Sequence, residues 1–398
     1  MRKKIIVLGG GLVGMAVALK LKNRYPNCKI HVFEKEHKLG LHQSTRNSGV
    51  IHCGISYTHG SLKARLSTSG SKQLIDYAKS KNIKHDLCGK LVISQNSEQN
   101  KRIEYLAQNG QKNGLKGLTI LSGKETSKIE PYVKAEKSLL VPEEGIIDFQ
   151  EVISNFSLDF QLMGGEIHLS SEFLTTKKLS NSNIAVFKNF EIEFDYLINC
   201  SGLYSDRIYK QTCNEKSDLQ IIPFRGEYFQ VHRDDLFNRL IYPVPDPKFP
   251  FLGVHFTKLI SGEKEVGPNA VLALHREGYN RRKVSFKDSL ETLSYSGLMK
   301  FIIENFDFVS KEVFTSLSKR AFLNEAKKLI PELELSDLGR ARSGVRAQGI
   351  TRDGKLYQDF LVNRVNNEIH VLNAPSPGAT SCLAIADYVI DNYLQSIK

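Results

Sequence analysis

Lys3-Lys4-Ile5-Ile6-Val7-Leu8-Gly9-Gly10-Gly11-Leu12-Val13-Gly14 stands near the start of the chain, and His31-Val32-Phe33-Glu34 follows, with Glu34 twenty residues beyond Gly14. An apolar run passes into a glycine turn, then a helical stretch, then a second strand that ends on an acid. This order predicts a βαβ unit that holds the ADP half of a dinucleotide. Gly9 permits the tight turn, Gly11 lets the backbone approach a pyrophosphate, and Gly14 lets the helix lie close on the strands. The helix opens at Leu12 and Val13, so its unpaired N–H groups and positive dipole end face the phosphates. Glu34 accepts the ribose hydroxyls, and Lys35 is assigned to the same site.

The basic start, Met1-Arg2-Lys3-Lys4 before an apolar run, has the outline of a secretory signal. Glycines interrupt that run, and no small-residue cleavage site follows. There is no room for a transit peptide before Gly9, and no apolar run approaches the length of a bilayer span. A cytoplasmic protein is expected, soluble or peripheral on the inner membrane. The 398 residues suffice for about two domains. Cys28, Cys53, Cys88, Cys200, Cys213 and Cys382 form no Cys-x-x-Cys pair, which fits reduced thiols and argues against a zinc or iron–sulfur centre. No metal is expected. The net charge of +12 reads as a solvated, lysine-rich surface or, more sharply, as attraction to an acidic substrate, an anionic membrane face or nucleic acid. Basic residues are dispersed, and the tightest cluster, Arg281-Arg282-Lys283, has no aromatic ladder beside it. Nucleic acid is therefore set aside.

Helical periods are read over residues 61–82, 97–114, 150–164, 322–334 and 378–396, with a short helix from 122. Strands are read over 91–94, 119–121, 166–169 and 369–374, with a hairpin over 184–187 and 191–194. The buried-strand pattern returns at 195–200 and ends in the turn Ser201-Gly202. Residues 216–310 read as long alternating strands with few helical periods, and 243–247 is too proline-rich for a central strand. The fold class expected is α/β: a Rossmann-like nucleotide-binding domain, discontinuous in sequence, with an inserted β-rich α+β domain. The first takes residues 1–90, 150–215 and 340–398. The second takes 91–149 and 216–339. A discontinuous nucleotide domain is more typical of flavoproteins than of simple nicotinamide dehydrogenases.

Two further segments carry chemistry. The loop His42–Tyr57 follows the ribose acid and mixes small polar residues with glycine. Ser44, Arg46, Asn47 and Ser48 are placed to bond pyrophosphate and flavin, and Gly49 and Val50 to bring N–H groups to the ring. At the other end, Asn373-Ala374-Pro375-Ser376-Pro377-Gly378-Ala379-Thr380-Ser381 is a strand-to-helix turn. Its helix N-terminus suits the N1/C2 side of a flavin, where reduction places negative charge. This favours FAD over NAD. Phe173 and Gly202 are assigned to the same cofactor site.

Several blocks carry a resemblance to a known family. They are Asn47–His52, Pro223-Phe224-Arg225-Gly226-Glu227-Tyr228, Ile241–Pro247, Pro250–Thr257, Gly267–Leu274, Gly344-Val345-Arg346-Ala347-Gln348 and the Asn373–Thr380 turn. They span nearly the whole chain. The sequence resembles the L-2-hydroxyglutarate dehydrogenase/oxidase family, within the glycine oxidase/glycerol-3-phosphate dehydrogenase type of FAD oxidoreductases. Where that family has Ala, Tyr and Pro, this chain has Cys53, Ser56 and His59. The resemblance implies oxidation of (S)-2-hydroxyglutarate to 2-oxoglutarate, with a quinone or oxygen as final acceptor. Another 2-hydroxy acid, an amino acid or glycerol 3-phosphate is the alternative substrate. A flavin-binding RNA-modifying or regulatory protein is the alternative of a different class.

Oxidation of a 2-hydroxy acid needs a base for the hydroxyl proton, and histidine is suited to it. His255 and His52 are the candidates. A small dicarboxylate also needs cationic donors. By resemblance Arg346 takes the C1 carboxylate. Arg225, Lys258 or Arg276 is open for the distal one, with Tyr57 or Tyr242 adding a hydroxyl.

Overall fold

The computed structural model describes residues 2–180, 182–213, 217–246 and 253–394. Pro247 and the stretch 250–252 from the family-like blocks lie outside the described residues, as do 395–396 of the last expected helix.

The opening stretch folds as read: strand β1 (Lys4–Leu8), helix α1 (Leu12–Arg24) and strand β2 (Lys29–Phe33). β1 and β2 pair in parallel, Ile5 opposite Ile30. β1 also pairs with Tyr196–Asn199, which pairs with Glu368–Asn373, while Glu166–His168 adds to β2 at the edge. The antiparallel strand Leu361–Val365 completes a six-stranded sheet. Alternate side chains of β1 enter different cores, as the two-residue period of a strand dictates. Ile5 and Val7 pack with α1, Phe149–Leu162, Leu62–Ser80 and Cys382–Tyr393. Ile6 and Leu8 face a three-stranded antiparallel sheet that includes the expected hairpin and one further strand, Phe173–Lys178. Since α1 is covered on several sides, Met15, Ala16, Val17 and Ala18 are all buried.

A second, nine-stranded sheet runs in the order Val271–Leu272, Leu219–Val231, Lys264–Gly267, His255–Lys258, Leu240–Pro243, Lys90–Ser94, Lys137–Val141, Thr119–Ser122. The ninth strand, Leu338–Thr351, pairs antiparallel with Leu219–Val231, bringing Arg346 opposite Phe224. This strand thus lies in the larger sheet, although residues from 340 onward were grouped by sequence with the nucleotide-binding part.

Three readings need correction. Within 216–310, helices Phe286–Leu293 and Ser296–Glu304 form, and Phe306–Leu317 begins there. Leu298 and Phe301 are buried, but Phe286, Leu290, Leu293, Ile303, Phe306, Phe314 and Leu317 stay exposed, which breaks the inward-facing pattern. Ser285 nevertheless caps the first, accepting from the Asp288 N–H. The helix expected at 322–334 is Lys319–Lys327, shifted because Ser318 caps its start. Pro243 does end a central strand, beside Ile93, at a terminal position where its missing N–H breaks no ladder.

Candidate active site

The glycine turn is built for close approach. Gly9 has φ +105°, and a Cβ there would stand 2.6 Å from the Cys200 carbonyl oxygen. At Gly14 a Cβ would lie 1.9 Å from the Gly9 carbonyl oxygen, so helix and turn pack as the spacing predicts. α1 has neither a side-chain cap from Gly11 nor an acid in its first turn, which leaves its positive end available to an anion. Ser44 Oγ accepts from the Leu12 N–H at 2.9 Å. Glu34 is fixed at the end of β2 by the Gly10 N–H at 2.7 Å and the Glu36 N–H at 3.0 Å. Lys35 is paired with Glu277 at 2.5 Å and with Glu36. A cavity of about 300 Å³ is lined by Gly9, Gly11, Glu34, Lys35, Ser44, Phe173 and Gly202.

A small cleft lined by Gly11, Leu12, Val13, Ser44, Gly378 and Ala379 leads on from it. Beyond lies a second cavity of about 160 Å³, walled by Arg46, Asn47, Ser48, Val50, His52, His255, Arg346 and the turn Ala374–Thr380, including Ser376 and Pro377. Asn47 shapes this loop. Its Nδ2 donates to the Gln43 and Ser44 carbonyls, and its Oδ1 accepts from Gly49, whose φ is +69°. Arg46 bonds the Leu41 carbonyl and stacks its guanidinium 4.0 Å from the Tyr279 ring centre. Thr380 ties the two ends of the chain together: its hydroxyl donates to the Val50 carbonyl and accepts from the His52 N–H. Ser381 Oγ is buried with no hydrogen-bond partner among the described residues. The glycine cradle, the uncapped helix end, the strand-end carboxylate and the joined clefts fit an extended dinucleotide with a ring at the far end.

A third cavity of about 450 Å³ shares His52, Lys63, Tyr242, Arg346 and Ser376 with the second, and adds Tyr57, Lys90, Arg102 and Glu144. Glu144 is fully buried. Its carboxylate meets Lys90 Nζ at 2.7 Å and His52 Nδ1 at 3.3 Å. Burial alone would raise its pKa, but Lys90 and then His52 outweigh this and hold it at about 2. His255 lies face to face with Tyr242, ring centres 3.9 Å apart. Its Nδ1 lies 2.9 Å from the Gly253 carbonyl and so carries the proton, which leaves Nε2 as an acceptor. Burial lowers its pKa to about 3, against the Gly253 bond and aided by nearby Arg346, so this imidazole is neutral. Lys63 Nζ bonds the Gln358 carbonyl at 3.1 Å and sits 4.5 Å from the Tyr57 ring centre. Burial pulls its pKa to about 8.

Three of the cations considered from sequence are engaged elsewhere. Arg225 bonds Glu227 at 3.3 Å, and Lys258 pairs with Asp86 at 3.2 Å. Neither lines these cavities. Arg276 is buried in a two-point pair with Asp206. Lys63, Lys90, Arg102 and Glu144 take their place in the wall. They come from four separate segments, and only burial marks them out, of the whole residue for Lys63, Lys90 and Glu144 and of Nε for Arg102.

Residues 4–392 match the family described as FAD dependent oxidoreductase, and the chain belongs to that family. It is an oxidoreductase and its cofactor is FAD. Within that class, the chain is 42% identical to the L-2-hydroxyglutarate dehydrogenase of Indibacter alkaliphilus, over 98% of each chain. It is 40% identical to the mitochondrial L-2-hydroxyglutarate dehydrogenase of Homo sapiens, over 99% of this chain and 89% of the other. Its fold matches the dithionite-reduced, FAD-bound L-α-glycerophosphate oxidase of Mycoplasma pneumoniae with a TM-score of 0.78 at 21% identity, covering 98% and 94% of the two chains. No helix among the described residues is long and apolar enough to cross a membrane.

Proposed function

We propose that this flavoenzyme oxidises (S)-2-hydroxyglutarate to 2-oxoglutarate. The observation that carries the reading is identity of about 40% over almost the whole length of L-2-hydroxyglutarate dehydrogenases. A cavity walled by Lys63, Lys90, Arg102 and Arg346 supports a dicarboxylate occupant.

FAD, when held by the glycine turn, Glu34, the Ser44–Val50 loop and the Ser376–Ser381 turn, would supply the acceptor for the hydride from C2. The chain's own residues do the rest. Arg346 lies where the second and third cavities meet, and binds the C1 carboxylate through its planar fork. His52 Nε2 takes the hydroxyl proton. Glu144, ionised and fixed by Lys90, orients the His52 ring through Nδ1 and stabilises the imidazolium that forms. Burial keeps the His255 imidazole neutral, and its ring, stacked on Tyr242, shapes the wall beside the reacting carbon. Tyr57 and Tyr242 add phenolic hydroxyls. With the proton on His52 and the hydride gone, C2 becomes the carbonyl carbon.

The cofactor is assigned to Gly9, Gly11, Leu12, Val13, Gly14, Glu34 and Lys35 at the ADP end, to Ser44 and Arg46–Val50 with Phe173 and Gly202 along its length, and to Ser376–Ser381 at the ring. The six-stranded sheet and its helices form the cofactor part, residues 1–90, 150–215 and the C-terminal segment. The nine-stranded sheet forms the substrate part, 91–149 and 216–339, extended by Leu338–Thr351.

Electrons pass on to a membrane quinone. Helices Phe286–Leu293, Ser296–Glu304 and Phe306–Leu317 leave Phe286, Ile303, Phe306, Phe314 and Leu317 exposed, with exposed Lys287, Lys300 and Lys311 among them. This composition suits peripheral contact with an anionic bilayer. Co-sedimentation with anionic but not neutral vesicles is expected. No binding to either would favour oxygen. For the main reaction, purified enzyme with an artificial electron acceptor should convert the L but not the D enantiomer to 2-oxoglutarate. Turnover of neither would remove the assignment.

A further inference from the structure

The third cavity holds four cations that differ in what they already bind. Lys90 is neutralised by Glu144 at 2.7 Å. Lys63 donates to the Gln358 carbonyl, and its backbone N–H is held by Asp359 at 2.7 Å. Arg346 borders both the second and the third cavity, which places it next to the histidines. Arg102 lines the third cavity and not the second. It comes from helix Ser97–Lys112, together with Tyr105 and Leu106, and its guanidinium lies 5.3 Å from the Tyr105 ring centre.

Arg102 Nε is buried and has no hydrogen-bond partner, and Arg102 makes no ion pair among the described residues. A buried guanidinium N–H left unpaired costs free energy. An ordinary structural arginine would satisfy it, as Arg276 does with Asp206. Asp359, in the same cavity wall, accepts instead from the Lys63 and Phe360 N–H groups. That N–H is therefore unsatisfied in a side chain that lines the same cavity as His52 and Arg346.

We propose that Arg102 is the specificity-determining residue of this site, binding the distal carboxylate of the substrate from the helix Ser97–Lys112. This rests on the reading of the site as a 2-hydroxy acid oxidising centre. With Arg346 on one carboxylate and Arg102 on the other, the substrate is gripped at both ends and C2 is fixed between them. Neither Arg225 nor Lys258 is needed. Selection of a dicarboxylate over a monocarboxylate then depends on one side chain, remote from the reacting carbon. A monocarboxylate of equal length leaves the Arg102 donors unpaired, and that is what excludes it.

The test compares (S)-2-hydroxyglutarate with (S)-2-hydroxypentanoate, which has a methyl group in place of the distal carboxylate. Anaerobic flavin reduction in the holoenzyme gives an apparent Kd and a limiting rate for each. Arg102→Gln should weaken 2-hydroxyglutarate about 10- to 100-fold in apparent Kd. The limiting rate should change far less, and 2-hydroxypentanoate should bind as it does to wild type. Arg102→Lys should restore part of the affinity, and glutarate titrated against the flavin spectrum should report the same loss without turnover. Flavin content equal to wild type shows that the variants are folded. If Arg102→Gln binds 2-hydroxyglutarate as well as wild type does, or weakens both substrates equally, the assignment is overturned. If wild type itself is not reduced by 2-hydroxyglutarate, the reading of the site fails instead.

Discussion

At the scale of single residues the account turns on His52, Glu144 and Arg346. The sequence made His255 the first candidate for the base, because it lies in an apolar strand of the larger sheet. The proposed mechanism takes His52 first instead. Positive charge on His255 would be buried beside Arg346, whereas positive charge on His52 would face an ionised carboxylate. His52→Ala should slow flavin reduction at saturating substrate roughly 10²–10⁴-fold, the usual worth of a positioned base. His255→Ala should raise apparent Kd more than it lowers that rate, and stopped-flow absorbance separates the two. Equal collapse of the rate in both variants would mean that the proton is shared. Arg346→Ala should lower kcat/KM by about 100-fold or more while the protein purifies yellow.

Glu144 also carries a pH signature. Its folded value of about 2 lies below the ordinary 4.5, so between these limits the unfolded chain binds the proton more readily. Its contribution to stability is therefore complete above pH 4.5 and lost as pH falls towards 2. Glu144→Gln leaves Lys90 buried without its counter-charge, and should cost on the order of 3–5 kcal/mol at neutral pH. It should also flatten the loss of stability on acidification, read from denaturant midpoints at several pH values. A variant as stable as wild type at pH 7 would show that Lys90 finds another partner.

At the scale of elements, β1, the glycine turn, α1 and β2 were legible because one local pattern specifies all four. The turn needs positive φ at Gly9, the packing needs no side chain at Gly14, and the acid must end the next strand. Gly14→Ala puts a Cβ against the Gly9 carbonyl, so strand or helix must shift. Protein from that variant should carry less than about half the wild-type flavin, by the ratio of visible to ultraviolet absorbance, and lose about 1–3 kcal/mol of stability. Full flavin content would mean that the turn tolerates more than its geometry implies. Helices whose apolar side chains stay outside, such as Phe286–Leu293, were not legible, since burial periodicity is the signal a reader follows. The strand Leu338–Thr351 was missed for a related reason. Its partner, Leu219–Val231, is more than a hundred residues away, and nothing local records the pairing.

At the scale of the whole molecule, the site is assembled where the two large sheets meet, and that explains which parts of it the sequence revealed. The FAD-binding segments are short, glycine-rich and self-announcing. The wall proposed for the substrate takes His52 from a loop, Lys63 and Arg102 from two helices, Lys90 and Arg346 from two strands, and Glu144 from the segment between two strands. In Pro142-Glu143-Glu144-Gly145 that glutamate reads as a surface acid, and only the fold buries it. Arg225 and Lys258, candidates from sequence as cationic donors, are committed by the fold to Glu227 and Asp86. The dispersed charge of +12 joins these scales, because it suits both a dianionic substrate and an anionic surface.

The central claim is that adjoining cavities couple FAD to a 2-hydroxydicarboxylate of L configuration. Anaerobic mixing of the purified holoenzyme with L- and D-2-hydroxyglutarate, L-lactate, glycerol 3-phosphate and glycine, followed at the visible flavin band, tests it most directly. The account predicts rapid bleaching by L-2-hydroxyglutarate alone. Bleaching by another compound with none by L-2-hydroxyglutarate would keep the flavoprotein and contradict the substrate, and protein that binds no FAD would contradict the account at its base.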